Sequence, residues 1–321
     1  MLAIACPGQG SQTPGFLSPW LDLPGVREHL EELSDRAGSD LVRHGTVSDE
    51  ETIKDTAVAQ PLIVAAGLVT ARLLLAHHPL TAATVVAGHS VGELTASAIA
   101  GALTESDAVA FVRVRATAMA DAAAATPTGM SAVLGGDPED VAARLAELGL
   151  TAANANGGGQ VVAAGTLEQL AELSETPPAK ARVIALKVAG AFHTDHMSPA
   201  VTALELFRPT LAPADPIATL MSNYDGRPVA TGEGNLDSLI AQVSRPVRWD
   251  LCMESMQAMG VTGMIELSPA GTLTGLAKRG MRGTATLAVK SPEDLDAART
   301  FIGEHSRTTD LDPSLTPEGP Q

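Results

Sequence analysis

The chain has 321 residues, 45% hydrophobic, 18% charged and only 2% aromatic, with 21 basic against 37 acidic side chains for a formal charge of −16. That length buries a sizeable core, as one large domain with an insertion or as two domains sharing a cleft, and the scarcity of aromatics leaves it to Ala, Val, Leu and Met. The acidic balance argues against nucleic acid and anionic membrane surfaces as partners, and an acidic protein partner would need a local basic patch.

Residues 2–6 (LAIAC) read as a short buried strand, stopped by Pro7 and the glycine-rich PGQGSQ. The start MLAIACPGQG carries neither a basic leader nor a long apolar stretch, and Cys6 and Cys252 follow no metal-ligand spacing. The expectation is a reduced, cytoplasmic protein. A polar helix is expected over 26–33. The apolar run from Thr56 to Ala71 holds Gln60 and Pro61 and falls short of the roughly 20 residues a bilayer crossing needs. It reads as a buried helix from about Gln60 to Leu75. Residues 84–87 form a second buried strand, and 92–100 an Ala-rich helix ended by Gly101.

Between residues 130 and 188 the pattern changes. Strands at 130–134, 150–154, 161–164 and 182–188 alternate with helices at 137–148 and 166–173, the first opened by Asp137-Pro138 and the middle strands joined by Gly157-Gly158-Gly159. The order βαββαβ is the ferredoxin-like split motif. The predicted architecture is therefore α/β: a large α/β-hydrolase-like domain over 1–128 and 189–303 with a small ferredoxin-like α+β domain, 129–188, inserted in it. A cleft between the two is the natural ligand site. The stretch 304–321 has almost no apolar content and reads as a disordered tail.

GHSVGEL places Ser90 between Gly88 and Gly92, at a strand-to-helix corner. A serine hydroxyl needs a base in reach and donors for an oxyanion, and a G-x-S-x-G corner lifts the hydroxyl clear of the sheet with the next N–H, that of Val91, facing the oxyanion. Alone, the pattern also fits a plain turn. Of eight histidines, His29, His44, His77, His78 and His305 read as solvent-facing and His89 as a packing residue. GAFHTDHM leaves His193 as the base, against a helix-capping role for it or a metal site with Asp195 and His196. Gly8-Gln9-Gly10 after a strand is also a weak start of a dinucleotide loop, lacking its third glycine. In SDAVAFVRVRATAMA, Arg113 and Arg115 point roughly 200° apart around a helix, so one faces the site and the other solvent.

GQGSQ, GHSVGEL, Arg115, GAFH, PVRW and SPAGTLTGLAKR occur in the order found in malonyl-CoA:acyl carrier protein transacylases, which the chain resembles over roughly residues 2–290. The resemblance implies a Ser90–His193 dyad whose second ring nitrogen is oriented by a backbone carbonyl, placed at Arg248 by the PVRW motif. Asp250 and Asp195 are alternative third members. It implies oxyanion donors at Gln9 and Val91, a carboxylate grip by Arg115, and cleft positions for Gln60, Asn156 and Gln160. A guanidinium fork matches a carboxylate with two hydrogen bonds. In related polyketide acyltransferases a Phe-His pair goes with malonyl and a Ser-His pair with methylmalonyl, so Phe192 implies malonyl.

The activity implied is ping-pong transfer of malonyl from malonyl-CoA to the phosphopantetheine thiol of acyl carrier protein, with no metal or bound cofactor. Lys180, Arg182 and Lys187, or Lys278, Arg279 and Arg282, would dock the carrier protein. A serine esterase or thioesterase uses the same serine and histidine. A non-catalytic carrier-protein binding module would dock without forming an adduct.

Overall fold

The computed structural model describes residues 1–306. Ten strands form two sheets: β1 (Leu2–Cys6), β2 (Val85–Gly88), β3 (Thr128–Gly135), β4 (Thr151–Gly157), β5 (Gln160–Thr166), β6 (Ala181–Ala185), β7 (Thr219–Leu220), β8 (Val247–Arg248), β9 (Gly263–Glu266) and β10 (Ala285–Ala288). The first sheet has the order β10-β9-β1-β2-β7 and all its pairs are parallel. A parallel sheet is covered on both faces, which is why LAIAC and VVAG are apolar throughout and fully buried.

Alternate side chains of these strands enter different cores. Leu2, Ile4, Cys6 and Val86 pack with the helices Thr56–Leu75 and Glu105–Ala125, whereas Ala3, Ala5, Val85 and Ala87 pack with Trp249, Met253 and Leu276 on the opposite side. The helix Thr56–Leu75 is long and apolar enough to cross a membrane by length and composition, yet 78% of its most apolar window is buried in the protein. It begins four residues earlier than the sequence pattern suggests, because Asp55 caps it by accepting from the Ala57 N–H.

The second sheet has the order β6-β3-β5-β4-β8. β3, β4, β5 and β6 are antiparallel to their neighbours within 128–185, in the expected βαββαβ sequence. The β4–β5 turn runs through Gly157, Gly158 and Gly159 at φ of +71°, +56° and +77°, a left-handed path that side chains with a Cβ resist. Val133, Val141, Leu145, Leu150 and Leu173 form a core on the face carrying the helices Pro138–Glu147 and Leu167–Glu175. The fifth strand is a surprise from outside the insertion. β8, part of PVRW, pairs parallel to β4 at Asn154↔Val247 and Ala155↔Arg248. A two-residue strand has no periodicity to read.

Two further expectations are corrected. His29 is buried, 4% exposed, with its Nε2 bonded to Glu105 Oε2 at 2.8 Å, because it lies on the inner stripe of the helix Val26–Ala37. The terminal tail does not begin at Glu304, since the helix Leu295–His305 continues through it on the buried contacts of Leu295, Ala298 and Ile302; residues 307–321 of the expected tail lie outside the described residues.

Candidate active site

The corner after β2 is built by steric necessity. A Cβ on Gly88 would stand 2.1 Å from the Gly92 carbonyl carbon, and one on Gly92 would stand 2.2 Å from the Cys6 oxygen, so only glycine fits at either place. Between them Ser90 holds φ +53°, a left-handed conformation that costs a non-glycine residue about 1–2 kcal/mol. Asn223 braces it: its Oδ1 accepts from the Ser90 N–H at 2.8 Å and its Nδ2 donates to the Gly88 carbonyl at 2.7 Å. His193 is also left-handed, at φ +62°, and its N–H donates to the Val243 carbonyl.

These two strained residues meet. Ser90 Oγ lies 2.7 Å from His193 Nε2, and His193 Nδ1 lies 2.8 Å from the Gln242 carbonyl oxygen. Burial, followed by the nearby Arg115 charge, pushes the imidazole down to about 3. It is therefore neutral, donating from Nδ1 to Gln242 and accepting the serine proton at Nε2. Both ring nitrogens are engaged, while Asp195 and His196 are exposed, so the metal and Asp195 alternatives do not assemble.

The expected Arg248 carbonyl is not the acceptor. Arg248 belongs to β8 and is aligned with Ala155, its N–H donates to Asn223 at 2.8 Å, and its guanidinium makes two bonds to Asp250, which removes Asp250 from His193 as well. Gln242, in the preceding helix Gly232–Gln242, takes the role instead. The reading of PVRW missed it because a main-chain acceptor leaves no mark on side-chain chemistry.

Arg115 is 1% exposed, whereas Arg113 faces solvent, as their angular separation requires. Its Nη2 donates to Ser90 Oγ at 3.3 Å and to Gln242 Oε1 at 2.9 Å, and its Nη1 donates to Gln60 Oε1 at 2.6 Å. Burial lowers the guanidinium to about 10, still protonated at neutral pH, and the neighbouring Glu93 opposes that shift. Glu93 is 4% exposed, accepts from the Asn223 N–H at 2.5 Å and from Gln242 Nε2, and is pushed up to about 8 by burial. Asn223, Gln242 and Glu93 went unread in the sequence; only Glu93 had a signal, its place within GHSVGEL.

A cavity of about 220 Å³ opens onto the serine. The carboxyl ends of β1, β2 and β9 feed its floor through Gly8, Gln9, Ser90, Val91, Thr272 and Leu273. The strand order reverses around β1, so this is the crevice where open α/β sheets bind ligands. The free face of the second sheet supplies the roof with Met130, Ala132, Asn154, Asn156 and Val162.

Among the remaining sequence candidates, Phe192, Gln60 and Gln160 also line the cavity. Asn156 Oδ1 accepts from His89 Nε2 at 2.9 Å, so His89 does more than pack against Trp249. Gln160 Oε1 accepts from Arg279 at 3.3 Å. Neither the Gln9 nor the Val91 N–H has a protein acceptor among the described residues, as oxyanion donors require. Cys6 and Cys252 are buried, and burial raises both thiols, so neither competes as a nucleophile.

The sequence matches the acyl transferase domain family over residues 5–309. It is 53% identical over 297 residues to the malonyl CoA-acyl carrier protein transacylase of Mycobacterium tuberculosis, covering 92% of this chain and 98% of that protein. A crystal structure of MCAT from the same organism superposes with a TM-score of 0.89 at 52% identity, over 93% of this chain and 99% of that one. A solved complex of a type II PKS acyl-carrier protein with its malonyl-transacylase matches with a TM-score of 0.86 at 29% identity, over 93% of this chain and 99% of that chain.

Proposed function

The chain belongs to the acyl transferase domain family, and within it to the malonyl-CoA:acyl carrier protein transacylases, and on that premise we propose that Ser90, His193 and Arg115 carry its chemistry. The protein is an acyltransferase that moves malonyl from malonyl-CoA to the phosphopantetheine thiol of acyl carrier protein, serving fatty acid or polyketide synthesis. His193 takes the Ser90 proton, the alkoxide attacks the thioester carbonyl, and the Gln9 and Val91 N–H groups hold the oxyanion as CoA thiol leaves. The malonyl-serine ester then meets the carrier thiol, deprotonated by the same imidazole, and the acyl group departs on it.

Arg115 grips the free carboxylate of malonate, exchanging its contact with Ser90 Oγ for the substrate while Gln60 and Gln242 keep the fork in place. Phe192 crowds the malonyl α-carbon and disfavours a methyl branch. Asn156 and Gln160 form the polar side of the channel. Lys180, Arg182 and Lys187 on one rim and Lys278, Arg279 and Arg282 on the other are exposed beside cavity-lining Leu186, Val188 and Leu276, which supports either cluster as a landing site for an acidic carrier.

The same reading takes 129–188 as an inserted ferredoxin-like domain and 1–128 with 189–303 as a hydrolase-like one, in a cytoplasmic protein without nucleic acid or membrane partners. The β6-β3-β5-β4 order supports the first assignment and the −16 charge the exclusion of polyanions.

The observation that carries the proposal is the 2.7 Å Ser90–His193 contact with the Arg115 guanidinium 3.3 Å from the same hydroxyl. Intact mass spectrometry after mixing with malonyl-CoA is expected to reveal one malonyl adduct, absent in Ser90→Ala. An adduct persisting in Ser90→Ala would remove the serine from the mechanism. Rapid loss of the adduct to water without any thiol would indicate the esterase alternative, which the transacylase relatives do not support.

A further inference from the structure

Glu93 is a buried carboxylate that does not line the catalytic cavity. It lines a second one of about 190 Å³, with Ser222, Tyr224, Gln242 and Arg245. The reaction gives it no proton to move, yet it touches the supports of the serine corner and of the guanidinium. We infer that Glu93 is a positioning residue for substrate choice, fixing the orientation of the Gln242 side-chain amide and, through it, the Arg115 fork that receives the carboxylate.

A carboxylate only accepts, while the two ends of an amide are one acceptor and one donor. Glu93 Oε1 is committed to the Asn223 main-chain N–H at 2.5 Å, a donor that cannot turn away. Its other oxygen faces Gln242 and compels that amide to present its Nε2–H. The Gln242 Oε1 is thereby forced toward Arg115 Nη2, where it accepts at 2.9 Å. Should position 93 present a donor, the amide would turn over and set its own NH₂ against the guanidinium. The Gln242 main-chain carbonyl holds His193 separately, so turning the amide over leaves the acceptor of the imidazole in place.

Protonation of Glu93 would have the same effect as an amide. Burial raises this carboxyl to about 8, with the Asn223 N–H, Arg115 and Gln242 opposing the rise. The charged or titratable groups facing it are Arg115, Cys252 and, across the second cavity, Tyr224, Asp237 and Arg245. The preference for malonyl over acetyl therefore rises with pH as the carboxyl ionises, while His193, neutral down to about 3, contributes nothing in that range.

The inference rests on the malonyl-transfer reading, and steady-state transfer of malonyl and of acetyl from their CoA thioesters tests it. At about pH 9, where the Glu93 carboxyl is ionised, Glu93→Gln, with folding checked by thermal unfolding, is expected to slow malonyl transfer roughly tenfold or more, the weight of a hydrogen bond to a charged group, and to leave acetyl transfer within about threefold, the difference shrinking toward pH 6. In a Gln242→Leu background, which has no amide to turn, adding Glu93→Gln should change the malonyl-to-acetyl ratio by less than about twofold. Equal losses of both activities, or full additivity with Gln242→Leu, would overturn the inference. If the variant does not fold, the wild-type ratio between about pH 6 and 9 decides, and a ratio that does not change overturns it. A wild-type protein that takes no malonyl brings down the transfer reading itself, a different outcome from a malonylated enzyme indifferent to Glu93→Gln.

Discussion

Truncating Arg115 to alanine removes a charge-assisted grip worth about 1.5–3 kcal/mol, so malonyl transfer is expected to fall about 10- to 150-fold while acetyl transfer largely persists. Parallel kinetics with the two thioesters check it, and equal losses would deny Arg115 a role in recognition. Phe192→Ser is expected to raise the methylmalonyl-to-malonyl ratio roughly tenfold or more, the value of one crowded methyl, read by competition between the two substrates. His193 has its own signature. Its ordinary value of 6.5 falls to about 3 on burial, so the folded protein resists protonation more than the unfolded chain does. The sign follows: His193 stabilises the fold fully above 6.5, and that contribution is lost as pH falls toward 3. Tm measured along that descent is expected to drop, and a His193→Gln variant should flatten the drop. Ser90, His193 and Arg115 could be picked out as candidates because hydroxyl, imidazole and guanidinium sit in distinctive motifs, and the structure brings the three side chains together. The Gln242 carbonyl could not be picked out, because every residue has one.

At the scale of elements, β1, β2 and the helix after Ser90 were readable from apolar runs punctuated by glycine, since a parallel sheet leaves no polar alternation to confuse the pattern. β7 and β8 span two residues each and follow no period. Helix starts were misplaced where an aspartate cap, such as Asp55, stood ahead of the apolar stretch. The glycines of the corner carry the sharpest prediction of this class. Gly92→Ala would push a methyl to within 2.2 Å of the Cys6 oxygen, an atom fixed in the sheet. It is expected to cost at least about 1–3 kcal/mol of stability and to abolish acyl-enzyme formation, as checked by denaturant unfolding and intact mass.

For the whole molecule, the exposed cations Lys180, Arg182 and Lys187, and Lys278, Arg279 and Arg282, follow or precede cavity-lining residues in a protein of charge −16. Reversing Lys278 and Arg279 to glutamate is expected to raise the KM for acyl carrier protein several-fold and weaken its salt dependence, leaving malonyl loading from CoA near wild type. The same reversal at Lys180 and Arg182 tests the other cluster, and a carrier KM unmoved by both would deny docking at either. The serine corner, the histidine loop and the arginine helix lie far apart in the sequence, and their convergence was legible only through the ordered motifs.

The β4–β8 pairing carries a mechanical consequence. β8 comes from outside 129–188 yet completes the roof sheet, so parting the roof from the segment that follows the helix Gly232–Gln242 means breaking the β4–β8 main-chain pairing. A roof tethered in this way is expected to stay in place, so that acyl groups carried on a long slender arm would enter a cavity already formed. Selection at the entrance falls to the reach of that arm, and only the last few atoms of its cargo are left for the interior to inspect.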